Sequence, residues 1–174
     1  MKKSPVFLLF VSVLSLSTAF AEESDFQGNV AEGVWKLSGS MEFFKEYGDD
    51  KDHGFFLGSS GQYFFSDALA AGVEIGLTEL SYRSPTALSF GPVASWYFAK
   101  TGSTAFFAQF GATFGLTNSA PDLILSPALG ASVFLNKYVA FGPTVAYEIY
   151  DFSSDTYLND YRRLQILASF HLYF

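Results

Sequence analysis

The sequence contains no cysteine and few basic residues, and each shortage excludes a class of protein. Without cysteine the chain forms no disulfide, carries no lipid on an N-terminal cysteine and offers no thiol ligand to a metal. Ten lysines and arginines face seventeen acidic residues, which argues against a nucleic-acid partner because phosphate binding requires a basic patch. After Ala21 the sequence has no apolar run of about 18 residues, so a helical membrane protein is excluded.

The first 21 residues have the features of a cleaved secretory signal peptide. Lys2 and Lys3 give a positive start, residues 6–16 form a short apolar stretch, and residues 19–21 (Ala-Phe-Ala) form a small-x-small cleavage site. A membrane-spanning anchor is the alternative, but serines interrupt the apolar stretch. Cleavage removes two basic residues and no acid, so the formal charge falls from −7 to −9. We therefore predict an exported chain.

The remaining sequence alternates between apolar and small polar residues, which is the pattern of β-strands because residues two apart share a face. Residues 22–33 are acidic and patternless and are predicted to be a periplasmic lead-in. Eight strands follow, at about 34–44, 55–65, 70–79, 88–99, 106–116, 124–135, 138–150 and 164–174. Short connections (66–69, 100–104, 136–137) alternate with longer polar ones (45–54, 80–87, 117–123, 151–160), as in outer-membrane barrels. The predicted fold over residues 34–174 is all-β, an eight-stranded antiparallel up-and-down transmembrane β-barrel.

The composition of the two strand faces predicts which face is inside. One face is rich in Phe, Leu, Val and Ile, and the other is mainly Ser, Gly, Thr and Gln with few charges. A solvated surface is normally about a quarter to a third charged, whereas the interior of an eight-stranded barrel has room for small side chains. Aromatic residues near strand ends are typical of interfacial girdles, and they are Trp35, Tyr63, Phe65, Trp96, Phe98 and Phe174. A soluble periplasmic ligand-binding barrel with the faces reversed is the alternative.

Two strands contain a related tripeptide with proline, Phe90-Gly91-Pro92 and Phe141-Gly142-Pro143. Proline cannot donate a ladder hydrogen bond, so it counts against a central strand position. The repeated context predicts a bulge or a strand-end position at Pro92 and Pro143.

The last strand stops on an aromatic residue and carries apolar residues at alternate positions, namely Leu164, Ile166, Phe170, Leu172 and Phe174. This segment resembles the C-terminal assembly signal of Gram-negative outer-membrane β-barrels. Together with the eight strands, the chain resembles the small outer-membrane barrel family that includes the OmpA membrane domain, OmpX and OmpW. The resemblance is one of architecture and carries over no functional residue except this terminal signal.

Few ionisable residues lie on the predicted inward face, namely Lys36, Glu42, Glu74, Glu148 and Arg163, together with Gln62, Gln109 and His171. Buried charges are tolerated when they are paired and hydrogen-bonded. We predict a salt-bridge network that plugs the lumen, and a gated polar path is the alternative.

The sequence predicts no enzyme, cofactor or metal site. Nucleophilic catalysis needs a nucleophile, a base and an orienting group. The only histidines are His53, in an acidic loop, and His171, near the end of the last strand, and no serine lies beside a histidine near the outer rim. Asp49, Asp50 and Asp52 lack the spacing of an EF-hand loop.

The resemblance implies a monomeric barrel in the cell outer membrane, inserted by the barrel-assembly machinery and in contact with outer-membrane lipid and lipopolysaccharide. Its implied role is envelope integrity or surface interaction through the outer loops. One alternative is an OmpW-like passage of small apolar molecules, for which Phe56, Phe64, Phe107 and Leu167 are candidate lining residues, although an aromatic plug explains the three phenylalanines as well. Another is a surface adhesin that uses the loop around residues 150–161.

Overall fold

The structure is a computed structural model that describes residues 27–45, 53–80, 84–117, 123–151 and 161–174. The predicted signal peptide (1–21), the aspartates at 49, 50 and 52, and most of the loop at 150–161 lie outside these ranges. No helix in the described part of the chain is long and apolar enough to cross a bilayer.

Eight strands form, as the alternation predicts, and each lies within a few residues of its predicted position. Their bounds are β1 (Trp35–Lys45), β2 (His53–Phe64), β3 (Leu69–Leu80), β4 (Ser84–Thr101), β5 (Thr104–Gly115), β6 (Leu123–Asn136), β7 (Val139–Asp151) and β8 (Tyr161–Tyr173). His53 is the first residue of β2 rather than part of the preceding loop. Each strand pairs antiparallel with its sequence neighbours, and β8 pairs with β1 to close the barrel.

The seam between β1 and β8 is paired over only part of its length. The ladder runs from Lys36–Tyr173 to Met41–Ala168, whereas β1 continues to Lys45 and β8 begins at Tyr161. By contrast, the β7–β8 ladder extends along all of β8 from Tyr161 to Leu172. The backbone ladder therefore closes the seam in one half of the barrel only.

The two ends of the barrel differ. Three short turns, at residues 65–68, 102–103 and 137–138, lie at one end, which we call the turn end. The other four connections leave the opposite end, which we call the loop end. Three of them are longer than the turns, but the prediction of a long connection at 80–87 is wrong, because β4 begins at Ser84 and only residues 81–83 separate it from β3. At the β4–β5 turn, Gly102 has a φ of 54°, a left-handed conformation that glycine adopts without steric cost.

The β6–β7 hairpin turn is Lys137-Tyr138, so its prediction at Asn136-Lys137 is wrong by one residue. The Asn136 side chain explains the difference. Its Oδ1 accepts hydrogen bonds from the backbone N–H groups of Tyr138 (2.9 Å) and Val139 (3.0 Å), so Asn136 caps the turn from the end of β6.

The prolines lie inside strands without a bulge, so their prediction as bulge or strand-end residues is wrong. Pro92 is in the middle of β4, and Pro143 is four residues after the start of β7. Each proline is left out of the ladder with one neighbouring strand, β5 for Pro92 and β6 for Pro143. The register does not change across the gap: on either side of Pro92, Phe90 pairs with Phe114 and Val93 pairs with Gly111. On its other side each proline is paired, with Val73 or Ala168. The register shifts of β4–β5 and β6–β7 occur elsewhere. The missing N–H is thus accommodated by a local gap in one ladder.

The outer surface of the barrel is apolar. Large exposed hydrophobic side chains occur on all eight strands. The predicted aromatic residues lie near the turn end, on or beside β1, β2, β4 and β8. Trp35 and Tyr63 have ring centroids 5.3 Å apart, and Trp96 and Phe98 have centroids 5.6 Å apart. The small polar residues face the interior, opposite to the arrangement that a soluble barrel requires.

Residues 27–34 lie across the turn end as a strap. The backbone N–H groups of Gln27, Asn29 and Gly33 donate to the carbonyls of Gly102, Lys137 and Phe64 at 3.0, 3.1 and 2.9 Å. These three contacts join the strap to the ends of three hairpins. The Nζ of Lys100 adds hydrogen bonds to the carbonyl oxygens of Val30 (2.8 Å) and Asp67 (2.7 Å). Val30 is buried against the barrel interior.

Candidate functional site

Large aromatic side chains fill the barrel interior at the turn end. This plug consists of Phe64, Tyr97, Phe107, Phe134 and Tyr173, each at most 6% exposed. Neighbouring ring centroids are 5.0 to 6.2 Å apart, the separation at which aromatic pairs attract one another. Val30 of the strap belongs to the same buried cluster. The described side chains therefore pack densely across the interior at this end.

A chain of hydrogen bonds runs through the plug. Lys36 Nζ donates to Tyr97 Oη (3.1 Å), Tyr97 and Tyr173 hydroxyls lie 3.1 Å apart, and Ser132 Oγ lies 2.8 Å from Tyr173 Oη and 2.9 Å from His171 Nδ1. If Tyr97 donates to Tyr173, Tyr173 to Ser132 and Ser132 to His171, each of the three hydroxyls accepts one hydrogen bond and donates one. In that arrangement His171 Nδ1 accepts and Nε2 carries the proton.

The Lys36 ammonium also contacts two aromatic rings. Its Nζ lies 5.5 Å from the Tyr97 ring centroid and 5.0 Å from that of Phe107. Lys36 is only 1% exposed, and cation–π contacts together with the hydroxyl offset part of the cost of burying its charge. This lysine is thus a component of the plug.

The pairing of Ser132 with His171 is the one contact in the described residues that resembles part of a catalytic triad. Sequence reasoning missed it because it considered only the outer rim. Both residues are at most 2% exposed, and the Ser132 hydroxyl also contacts Tyr173. Among the described residues, no carboxylate hydrogen-bonds to His171 to act as the third group. The pair therefore stabilises the plug and does not form an accessible nucleophile.

A polar cavity of about 110 Å³ lies between the plug and the loop end. Phe107, Gln109 and His171 bound it on the plug side. Serine and threonine are the most frequent residue types in its wall, including Ser38, Ser40, Ser60, Ser89, Thr113, Ser126, Thr144 and Ser169. Phe56, Ile124, Leu167 and two alanines add a substantial apolar part. A cavity with this lining is suited to water or to a small polar molecule.

Glu74 reaches into this cavity from β3. Gly111 on β5 provides the space, since a Cβ atom there would collide with Glu74 Oε1. Glu74 is partly exposed to the cavity and forms no ion pair within 4 Å among the described residues. The sequence assigned Glu74 to the interior face, but the glycine that accommodates it could not be identified without knowing which side chains meet across the lumen.

Three charged side chains meet at the loop end of the interior. Arg163 Nη2 lies 3.2 Å from Glu42 Oε2, and Arg163 Nε lies 3.4 Å from Glu148 Oε2. All three side chains are 10 to 14% exposed. Glu42 is on β1, whereas Glu148 and Arg163 face each other on β7 and β8. Arg163 thus joins β8 to β1 in the half of the seam that has no backbone ladder.

The five predicted lumen residues therefore occupy three places. Lys36 is in the plug, Glu74 projects into the cavity, and Glu42, Glu148 and Arg163 form the loop-end cluster. Of the predicted apolar lining, Phe64 and Phe107 belong to the plug, whereas Phe56 and Leu167 line the cavity. An aromatic plug was one sequence-based interpretation of Phe64 and Phe107, but it did not include Tyr97, Phe134 and Tyr173, although the two tyrosines were recognisable as bulky residues on a face of small ones.

The terminal-strand residues all point outwards. Leu164, Ile166, Phe170, Leu172 and Phe174 are 48 to 75% exposed. The backbone of Phe174 pairs with that of Trp35, with N–H to carbonyl distances of 3.0 and 2.8 Å. The last residue thus contributes to closure of the barrel beside the first strand.

No family model and no curated protein matches the chain. Solved structures do match. Neisserial surface protein A (NspA) has a TM-score of 0.55 over 81% of this chain and 97% of that chain, with 13% identity. The outer membrane protein OprG from Pseudomonas aeruginosa has a TM-score of 0.51 over 86% and 99%, also with 13% identity.

A structure from the de novo design of transmembrane β-barrels has a TM-score of 0.50, again at 13% identity, over 82% of this chain and 97% of that chain. The shared feature is the eight-stranded closed barrel. At such identities the likeness shows the fold alone, and it confirms the predicted fold class.

Proposed function

We propose that the protein is an integral outer-membrane barrel that is closed on the periplasmic side and acts through its outer end, in envelope integrity or surface interaction. The supporting observation is the distribution of side chains, with apolar residues outside and small polar residues inside. Such a surface is costly in water and favourable in a lipid bilayer. Two of the similar folds belong to a neisserial surface protein and an outer membrane protein, which supports the same environment.

The plug supports a closed barrel rather than a pore. Phe107 and Tyr97 lie across the interior with at most 2% exposure. The cavity beyond them measures only about 110 Å³, and serine and threonine are the most frequent residues of its wall, which favours a small polar occupant over the passage of apolar molecules. The loop-end cluster and the cavity therefore belong to the side that faces the exterior.

This proposal includes the partners inferred from the sequence. The apolar belt would contact outer-membrane lipid and lipopolysaccharide, and the barrel-assembly machinery would insert a monomer using Leu164, Ile166, Phe170, Leu172 and Phe174. The exposed alternation of these side chains fits that role. The signal peptide would direct export.

Single-cysteine labelling tests location and orientation together, since the chain has no native cysteine. Thr117→Cys places a thiol at the loop end, and Ser103→Cys places one at the turn end, both at exposed positions. A membrane-impermeant maleimide added to intact cells should label the Thr117 variant only. Both should be labelled after lysis, and the protein should fractionate with outer membranes and migrate faster unheated than boiled.

Labelling of Ser103→Cys but not Thr117→Cys on intact cells would show that the turn end, and not the loop end, faces the exterior. Recovery in the soluble periplasm without a heat-dependent shift would contradict the membrane proposal. Steady single-channel conductance in planar bilayers would contradict the closed lumen.

A further inference from the structure

One charged side chain of the interior cavity, Glu74, has its nearest interacting cation, Lys36, beyond ion-pair distance. Arg163 is held by two carboxylates, and Lys36 is bonded to Tyr97 Oη between aromatic rings. Glu74, in contrast, extends into the cavity and forms no ion pair within 4 Å among the described residues. A carboxylate in a confined space is stabilised by a cation or by hydrogen-bond donors.

Two further polar atoms, buried in residues of the cavity wall, have no hydrogen-bond partner in the structure. They are Gln165 Nε2 and Ser38 Oγ, and both residues line the cavity. Gln165 is only 1% exposed, so its amide is a buried donor that needs an acceptor. Unsatisfied buried groups in a folded protein are normally explained by water or a ligand. These two atoms are independent of Glu74 and belong to residues that line the same cavity, so a small rotation of either side chain would turn its polar group towards a ligand there.

We propose that this cavity is a binding site for a small amino alcohol, with the ammonium group on Glu74. An ammonium has three donors, which the Glu74 carboxylate and neighbouring hydroxyl oxygens would accept. An oxygen on the ligand would accept from Gln165 Nε2 or Ser38 Oγ. A divalent metal fits less well, since the described residues contain no group of three His, Asp or Glu side chains that could hold one.

The size of the cavity limits the ligand. Its volume of about 110 Å³ is well below the range of roughly 300 to 1,000 Å³ that is typical of pockets for drug-sized molecules. Phe107 closes the site on the plug side, so the ligand would enter from the loop end. Ethanolamine, with one ammonium and one hydroxyl, is therefore a suitable probe.

Calorimetric titration of the folded protein in micelles, in buffer with physiological salt, tests the proposal. Ethanolamine should bind saturably, and Glu74→Gln, which keeps the shape and removes the charge, should weaken binding at least about tenfold, as loss of a charge-assisted hydrogen bond predicts. Glu32→Gln is the matched control, because it removes the same charge from an exposed position on the strap. The neutral analogue 1,2-ethanediol should bind no better to the wild type than to Glu74→Gln.

A second variant tests whether the position of the Glu74 carboxylate matters as well as its charge. Gly111→Ala keeps the carboxylate but fills its space, and it should also weaken ethanolamine binding. Gly39→Ala, where an added Cβ meets nothing within 4 Å, should have no effect. The heat-dependent gel shift verifies that each variant is folded. Since this assay is carried out in micelles, its result is independent of cellular location.

A competition experiment distinguishes the two possible sources of the amino alcohol, a lipid headgroup and a free amine. A short-chain phosphatidylethanolamine in the micelles should displace ethanolamine if the natural ligand is a lipid headgroup, and it should not if the ligand is a free amine. Equal ethanolamine binding to the wild type and Glu74→Gln, or no saturable binding, would overturn the proposal and leave water as the occupant.

Discussion

The turn half and the loop half of the barrel follow the same alternating sequence pattern but have different interiors. In the turn half, aromatic side chains pack into a plug with exposures of at most 6%. In the loop half, hydroxyl groups surround a cavity. The difference comes from the size of the inward residues, which are Phe or Tyr close to the short turns and mainly Ser, Gly or Thr further along the strands.

The closure of the seam differs in the same way. In the turn half, backbone pairs join β1 to β8 from Lys36 to Met41. In the loop half, the described contact across the seam is the 3.2 Å ion pair between Arg163 and Glu42. Main-chain ladders and dense packing therefore hold one half, whereas side-chain charges contribute to holding the other. The following four variants test this division.

Deletion of Phe174 is expected to have the largest effect. It removes two backbone hydrogen bonds to Trp35 and the terminal aromatic residue of the closing strand. Most of the assembled protein should be lost from the outer membrane, as measured by the heat-dependent gel shift in membrane fractions. Thr117→Ala, an exposed change at the loop end, is the control and should assemble normally. Normal assembly of the deletion would show that turn-end closure does not depend on the last residue.

Phe107→Ala should destabilise the barrel by about 3 to 5 kcal/mol, the usual cost of deleting a buried aromatic side chain. Phe56→Ala is the matched change in the loop half. Because Phe56 already borders the cavity and is partly exposed, its loss should cost about 1 kcal/mol. Urea unfolding in micelles measures both values. Equal losses would mean that the two interiors are equally well packed.

Gly142→Ala should destabilise by about 1 to 3 kcal/mol, because an added Cβ would collide with the His171 ring. His171 would have to leave its contact with Ser132 in the plug. Gly39→Ala is the control, since its Cβ meets nothing within 4 Å, and it should change stability by less than about 0.5 kcal/mol. The same unfolding assay compares the two, and a neutral Gly142→Ala would indicate a loosely held His171.

Arg163→Gln should have the smallest effect, about 1 kcal/mol, because the substituted amide still donates hydrogen bonds to the carboxylates and keeps most of the side-chain volume. The loss leaves Glu42 and Glu148 without their shared cation. Adding Glu148→Gln to this variant should recover part of the lost stability by relieving carboxylate repulsion. If the effects of the two substitutions simply add, the three side chains do not act as one cluster.

The strands and their faces were predictable because a period of two is visible in the sequence itself. β5 and β8 alternate cleanly, so their inward and outward residues were assigned correctly. Contacts across the lumen were not predictable, since they depend on how far neighbouring strands are displaced along one another. Arg163 meets Glu42 from 121 positions away, and nothing local to either residue indicates this pairing.

Segments without periodicity were the least predictable. Residues 27–34 have no alternation, so no local pattern indicated that Val30 would be buried at the turn end. The in-strand positions of Pro92 and Pro143 were missed for a related reason. A proline destabilises a strand because it lacks an N–H group, but only where a carbonyl of the neighbouring strand would otherwise accept a hydrogen bond from that position.

The strap has a consequence for the order of assembly. Its hydrogen-bond acceptors are Phe64, Gly102 and Lys137, which lie at the ends of three different hairpins. None of these hairpins alone provides the complete docking surface, so the strap can settle only after the hairpins have come together. The first described residues of the chain are therefore among the last to reach their final position. Their resistance to proteolysis would report a finished barrel.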